Sequence, residues 1–220
     1  MESMMKNIIL QHWHGDIPRW ANICKNSIED YSRRIEADYE LLQGFPMGDW
    51  FPNTKTKPWL VIQKIFMLNE KYDEYDNVLM LDMDMLFTGK LDNIFIHNGI
   101  GRLHKVGMRN ISGSKNGRKW PKLYTRQQPM FFGNCVKFTR EQRISLRKEL
   151  NTDVIHNSMS SDGLPPNDEI IMHYLIVQSG ILDNKTKLEI PHDRFCDLPE
   201  EAAPDATLVH YCGNRKNYIK

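Results

Sequence analysis

Residues 77–87 read Asn-Val-Leu-Met-Leu-Asp-Met-Asp-Met-Leu-Phe, a near-continuous apolar run broken only by Asp82 and Asp84. So short and apolar a run fits a central strand covered on both faces, as in the parallel sheets of α/β proteins. An ionised carboxylate is what such a strand tolerates least, because taking it out of water without a partner is strongly disfavoured. On an ideal strand, residues two apart share a face. Where the strand runs out the chain turns, so one acid can reach a metal directly while the other binds it or a substrate hydroxyl. Hard oxygen ligands favour Mg2+ or Mn2+. The alternative is a pair of acids at the solvent edge of a sheet, or salt-bridged to a lysine such as Lys90.

The surrounding pattern supplies the layers that would cover this strand. Lys6–Gln11 is a short apolar run that predicts a first buried strand. A helix follows near Ile17, with Asp16 as its N-cap, Pro18 in its first turn, and Trp20, Ile23, Cys24, Ile28, Tyr31 and Ile35 recurring at three and four. Tyr39–Leu42 reads as a second strand, and Gly44, Pro46, Gly48, Pro52 and Asn53 mark a loop. A second helix is expected from Pro58 to about Lys71, with Gln63 and Lys64 off its apolar face and Trp59 and Phe66 in the core. Residues 99–126 are rich in Gly, Lys, Arg and Ser and read as loops with short strands. Pro129–Phe138 reads as another buried strand, with Thr139 capping a helix over Arg140–Leu150 and Gln142 close behind. A loop over 151–166 leads to an apolar helix, Asp168–Gln178. Short strands are expected at Leu188–Ile190 and Thr207–His210, then a polar tail. The alternation favours an α/β fold with a mostly parallel sheet and ligands at the carboxyl ends of its strands.

Composition removes several classes of function. Lys+Arg of 29 against Asp+Glu of 28 leaves no blanket attraction for nucleic acid or an anionic membrane. No stretch approaches the roughly 20 apolar residues of a membrane span. The opening, Met1–Leu10, lacks the pattern of a secretory signal. Cys24, Cys135, Cys196 and Cys212 stand far apart without Cys-x-x-Cys, which argues against a zinc ribbon and fits reduced thiols in a cytosolic chain. The sequons at Asn110 and Asn184 are then chance. His12 and His14 share a strand face, but no Cys or Glu follows at zinc-site spacing. Lys115, Arg118, Lys119, Lys122 and Arg126, with Trp120 and Tyr124, could hold an anionic or sugar acceptor or form a solvated loop.

The end of the chain reads His210-Tyr211-Cys212-Gly213-Asn214-Arg215-Lys216 after a strand. A histidine there can add a nitrogen ligand to a metal, Gly213 lets backbone approach a phosphate, and Lys216 supplies a positive charge for it. Read alone, it is a basic tail with a strand-end histidine. Paired with Asp82 and Asp84 it is much more specific.

In order and spacing these features resemble a GT-A glycosyltransferase. The strand ending in Asp-x-Asp is followed by a Phe-Phe-Gly-Asn-Cys-Val strand, a helix opening with acids, and a terminal His-x-x-Gly-x-x-Lys like that of glycogenin-like enzymes, with Tyr218 two positions after the lysine. The resemblance spans essentially the whole chain. Size and the opening at Gln11–Trp20 also resemble the small glycosyltransferase domains encoded by chlorella viruses. It implies a single GT-A domain over residues 1–220, which could be cut from a longer polypeptide, with a central mostly parallel mixed sheet flanked by helices.

The resemblance also implies roles. Asp82, Asp84 and His210 would hold Mn2+ or Mg2+ bridging the phosphates of a UDP-sugar, with Asp82 nearer the ribose and Met83 among the donor-binding residues. Gly213 and Lys216 would hold the pyrophosphate. Gln11, His12 and Trp13 would line the uridine pocket, and Lys64 would touch the donor. Gly133 and Asn134 would face the donor sugar, although the family more often has Asn-Ser-Gly or Asn-Ala-Gly where this chain has Gly133-Asn134-Cys135. Asp168 and Glu169 would stand at the anomeric carbon, either deprotonating the acceptor or stabilising an oxocarbenium-like centre; as residues alone they fit an ordinary first helical turn. The expected function is transfer of a hexose, glucose by default, from a UDP-sugar to a hydroxyl of a glycan or glycoprotein, in the host cytoplasm if the protein is viral.

Two competitors share some of these features. A haloacid-dehalogenase-type phosphatase also ends an apolar strand in Asp-x-Asp and would use Asp82 as nucleophile. It usually begins with that strand, whereas here the motif follows 81 residues. A non-catalytic nucleotide-sugar binding module would keep the fold without turnover.

Overall fold

The computed structural model describes residues 5–44, 63–89, 92–103, 131–151, 168–181, 190, 199–200, 202 and 204–219. Strand β1 (Asn7–Trp13) leads into helix α1 (Arg19–Arg34), which returns the chain to β2 (Asp38–Gln43). Then come β3 (Asn77–Leu81), β4 (Met85–Phe87), β5 (Gly101–Leu103) and β6 (Phe131–Thr139). Helices α2 (Arg140–Glu149) and α3 (Asp168–Gln178) and strand β7 (Leu208–His210) follow. The main sheet has the order β2-β1-β3-β6-β5, and β4 pairs with β7 in a separate ribbon. β1 is parallel to β2 and β3, whereas β6 is antiparallel to β3 and β5, so the sheet is mixed.

Alternation along the central strands builds a core on each face. Ile8, Leu10, Val78, Met80, Val136 and Phe138 point to the side covered by α2 and α3. Ile9, Leu79, Leu81 and Cys135 point to the side covered by α1 and the β4–β7 ribbon. Val78, Leu79, Met80 and Leu81 are all fully buried, and at about 1.5–3 kcal/mol for each large apolar side chain this burial fixes β3 at the centre. A one-residue slip would exchange the two faces.

The local signals decide where elements begin and end. Thr139 and Gln142 form a reciprocal capping box at the start of α2, as their spacing predicts. At α1 the expected cap at Asp16 does not form: Pro18 occupies the N-cap and no side chain bonds the first turn. Glu36, at φ +56°, ends that helix in the left-handed region.

Four expectations change. The predicted helix Pro58–Lys71 is, in its described part, two 3-10 segments, Gln63–Leu68 and Glu70–Tyr72. Asn69 separates them because its side chain accepts from Lys71 N at 3.0 Å. Lys64 is not on a solvated face but 1% exposed, held inside by Asp82. The run 77–87 is two strands rather than one, because the chain turns at Asp82–Asp84, closed by Met85 N donating to Asp82 O at 3.2 Å. The polar tail is a 3-10 helix, Gly213–Tyr218. Of the strand expected at 188–190 only Ile190 is described, joined to Gly101 O at 3.0 Å without strand structure. Phe66 is in the core as expected. Trp59, Lys90, Cys196, both sequons and the basic stretch from Lys115 to Arg126 lie outside the described residues.

Candidate metal centre

The carboxyl ends of β1, β2 and β3 lie along one edge of the sheet, and β6 enters at that edge because it runs the other way. Asp82, the first residue past β3, is fixed there by its backbone. Its N–H donates to Asn134 O at 2.9 Å, and its carbonyl accepts from Gln11 Nε2 at 3.1 Å. The turn then carries Asp84 across to the β4–β7 ribbon, where its carbonyl accepts from Tyr211 N at 2.9 Å. Met85 and His210 are register partners in that ribbon, so backbone pairing delivers the imidazole to the acids.

The side chains converge as the spacing alone could not guarantee. His210 Nε2 lies 3.2 Å from Asp84 Oδ1 and 4.0 Å from Asp82 Oδ2. One ligand atom from each of Asp82, Asp84 and His210 falls within 4.8 Å of the others. Two carboxylate oxygens and an imidazole nitrogen that close make a donor set suited to a divalent cation. Among the described residues this is the single such group. His12 and His14 do not form a second: His12 is buried and Nε2 bonds Gly44 O at 2.8 Å, while His14 is exposed.

Two lysines balance the acids. Lys64 Nζ is ion-paired with Asp82 Oδ1, and Lys216 Nζ lies 3.0 Å from Asp84 Oδ2. Lys216 also sits 4.8 Å from the centre of the Trp20 ring, a cation–π contact that keeps its ammonium beside the acids. Burial pushes the Asp84 carboxyl up, but hydrogen bonding and charge from His210 and then Lys216 outweigh it and hold the pKa at about 2. Asp84 is therefore ionised at neutral pH. Beneath it, burial and the Asp84 charge push the Cys24 thiol up to about 12, so Cys24 stays protonated.

The other sequence candidates divide. Asn134 is buried on β6, and its Nδ2 lies 3.0 Å from His210 Nδ1. Gly133 is beside it and buried. Met83 is buried in the turn. Gly213 opens the final 3-10 helix at φ +60°, a conformation that suits glycine. Gln11 is fully buried and used internally, donating to Asp82 O and accepting from the Tyr39 hydroxyl at 2.9 Å. His12 packs against Phe66 with ring centres 5.3 Å apart, and burial lowers its pKa, so it is neutral. Trp13 is half-buried, with its indole N–H on Asp16 O at 3.0 Å and its ring edge-on to Trp20. Asp168 and Glu169 open α3, and their side chains lie outside the described residues. Sequence reasoning missed Trp20 as a neighbour of Lys216; its place one helical turn before Cys24, on the face of α1 turned to the site, was the available signal.

No family model and no curated protein matches the sequence. Solved structures do. A glycosyltransferase involved in the glycosylation of the major capsid of PBCV-1 superposes with a TM-score of 0.60 at 15% identity, over 97% of this chain and 98% of that one. The galactosyltransferase LgtC, solved with donor and acceptor sugar analogues, gives 0.54 at 12% identity over 94% and 87%. The bifunctional glycosyltransferase WbbM gives 0.60 at 9% identity over 97% of this chain and 47% of that one. The chain has the GT-A fold. At these identities the similarity concerns the fold, and the chemistry has to be argued from the site. Within this GT-A fold, Asp-x-Asp follows the third strand among the described residues, at the middle of the sheet, where a haloacid-dehalogenase-type chain would have its first strand.

Proposed function

We propose that the protein is a metal-dependent glycosyltransferase that moves a hexose, glucose by default, from a UDP-sugar to a hydroxyl of a glycan or glycoprotein. The observation that carries this reading is the convergence of Asp82, Asp84 and His210 at the carboxyl edge of a GT-A sheet, with Lys216 against the same acids. A divalent ion held there, Mn2+ or Mg2+, would supply Lewis-acid stabilisation of the departing diphosphate. Lys216 swings from Asp84 to a pyrophosphate oxygen, adding a charge where negative charge grows in the transition state. The backbone at Gly213 is free of a side chain and can approach the same phosphates. Lys64 stays buried against Asp82 and offsets the second carboxylate. Trp13, half-buried at the end of β1, is the most accessible of the three residues assigned to the uridine pocket. Gln11 and His12 shape it from below.

In the transfer, the bond from the anomeric carbon to the UDP oxygen breaks and a bond to the acceptor oxygen forms. For inversion, Asp168 or Glu169 takes the acceptor proton. For retention, which the glycogenin-like tail favours, the same carboxylate either stabilises the oxocarbenium-like centre or attacks it to form a glycosyl ester that the acceptor oxygen then displaces, and in both cases the acceptor proton passes to the departing UDP oxygen. The helix N-terminus of α3 is where such a carboxylate would be held.

Thermal-shift measurement with UDP, GDP and CMP, with and without Mn2+, tests the reading. The expected outcome is stabilisation by UDP only when Mn2+ is present, worth about 2.7 kcal/mol at a ligand concentration of roughly 100 times Kd. Absence of any metal-dependent nucleotide effect overturns it. Release of phosphate from an aryl phosphate would instead indicate a phosphatase. Binding of a UDP-sugar without hydrolysis or transfer would indicate a binding module.

A further inference from the structure

The side chain of Asn134 touches the candidate metal centre without belonging to its ligand set. Asn134 is 5% exposed, its Nδ2 lies 3.0 Å from His210 Nδ1, and its Oδ1 is buried with no hydrogen-bond partner. A donor on Nδ1 requires that nitrogen to be unprotonated, so the proton of the neutral ring is on Nε2, where it faces Asp84 Oδ1 at 3.2 Å. That tautomer suits an imidazole bonded to a carboxylate. It cannot bind a metal through Nε2.

A cation at Nε2 needs that lone pair and moves the ring proton to Nδ1, which then needs an acceptor. The only change required is a half-turn of the Asn134 amide, which exchanges Nδ2 for Oδ1. Either orientation leaves one end of the buried amide unpaired, so the end that faces the ring is the one Nδ1 can pair with.

We propose that Asn134 is a positioning residue for the metal: its amide turns over when the cation arrives, and Oδ1 accepts the Nδ1–H and fixes the ring with Nε2 toward Asp82 and Asp84. This rests on the reading of those three residues as metal ligands. It also gives a physical role to the place where Gly133-Asn134-Cys135 departs from the commoner sequence of GT-A relatives, because β6 puts the asparagine against the histidine that β7 brings in.

Two measurements test it. Mn2+ binding, followed by electron paramagnetic resonance on the whole chain, should weaken about 10–100-fold in Asn134→Leu, which keeps the volume and removes the acceptor. Nuclear magnetic resonance of the wild-type protein should show scalar coupling across the N–H···N bond from Asn134 to His210 without metal. That coupling should vanish as Mg2+ is titrated to saturation of the His210 ring shifts. A purely structural role would leave it unchanged. Wild-type protein that binds neither ion overturns the metal reading, and the role of Asn134 with it. Wild-type protein that binds Mn2+ while Asn134→Leu binds within about twofold overturns the role of Asn134 alone, as does coupling that persists in the Mg2+-loaded protein. If Asn134→Leu fails to fold, the wild-type coupling decides.

Discussion

At the edge of the sheet where β3 begins and β6 ends, Arg143 is fully buried and donates to the carbonyls of Phe138 at 3.0 Å, Tyr72 at 2.8 Å and Tyr75 at 2.7 Å. Nearby, Arg147 holds both oxygens of Asp73 at 3.1 and 2.5 Å and the carbonyl of Leu68 at 2.8 Å. At the opposite edge Asp82 and Asp84 face Lys64, Lys216 and His210, and the pairs are between side chains that can part. Backbone carbonyls cannot leave, so Arg143 has one arrangement, and Arg147 is tied to the Leu68 carbonyl as well as to Asp73. Carboxylates, an ammonium on a flexible stem and an imidazole with two tautomers can exchange partners when a cation or a diphosphate arrives. The difference separates charge used to hold three segments together from charge kept available for a ligand.

The sharpest way to break this contrast is Arg143→Met. It removes three hydrogen bonds to buried carbonyls; Tyr72 O keeps its bond from Tyr75 N at 3.0 Å, and losing the arginine from the others at roughly 1–3 kcal/mol each predicts a loss of about 3–5 kcal/mol in denaturant unfolding. A loss under about 1 kcal/mol would mean that the arginine edge is not structural. At the other edge, Asp84→Ala should abolish Mn2+-dependent stabilisation by UDP and lower any transfer rate at least about 100-fold. Circular dichroism should find the fold intact. Normal Mn2+-dependent affinity in that variant would remove Asp-x-Asp from the site.

Acid titration sharpens the comparison further. The Asp84 carboxyl is held down at about 2 in the folded, metal-free protein, against about 3.9 when unfolded. A depressed folded pKa contributes stability that is complete above the unfolded value and lost as pH falls through the folded one. Asp84→Asn should therefore remove about 2 kcal/mol of this linkage at pH 7 and very little near pH 2, read from paired unfolding curves at the two pH values. The smallest effect is expected from Thr139→Ala, which breaks the capping box on the arginine edge. It should cost about 1 kcal/mol in unfolding while leaving UDP and Mn2+ binding unchanged.

Much of the architecture was legible because burial leaves a periodic trace. The apolar runs of β1 and β3, the three-and-four spacing of Cys24, Ile28 and Tyr31 in α1, and the Thr139–Gln142 cap all follow from short-range geometry. The failures have a common cause as well. Lys64 read as a polar face because a lysine carries no sign of the carboxylate that will bury it. The run 77–87 read as one strand because Met83, Met85, Leu86 and Phe87 keep the apolar character after the chain has turned into a different sheet.

By itself the sequence determined which segments would be buried, that Thr139 would cap α2, and that two acids would stand at the end of the central strand. Those properties depend on neighbours within a few residues. Only the tertiary structure decided that β7 pairs with β4 to bring His210 to Asp84, that Lys64 and Lys216 take one acid each, and that Asn134 faces the far nitrogen of the ring. Charged and polar side chains choose partners by distance in space, and nothing in the local order of residues records a partner that lies on another element of the fold.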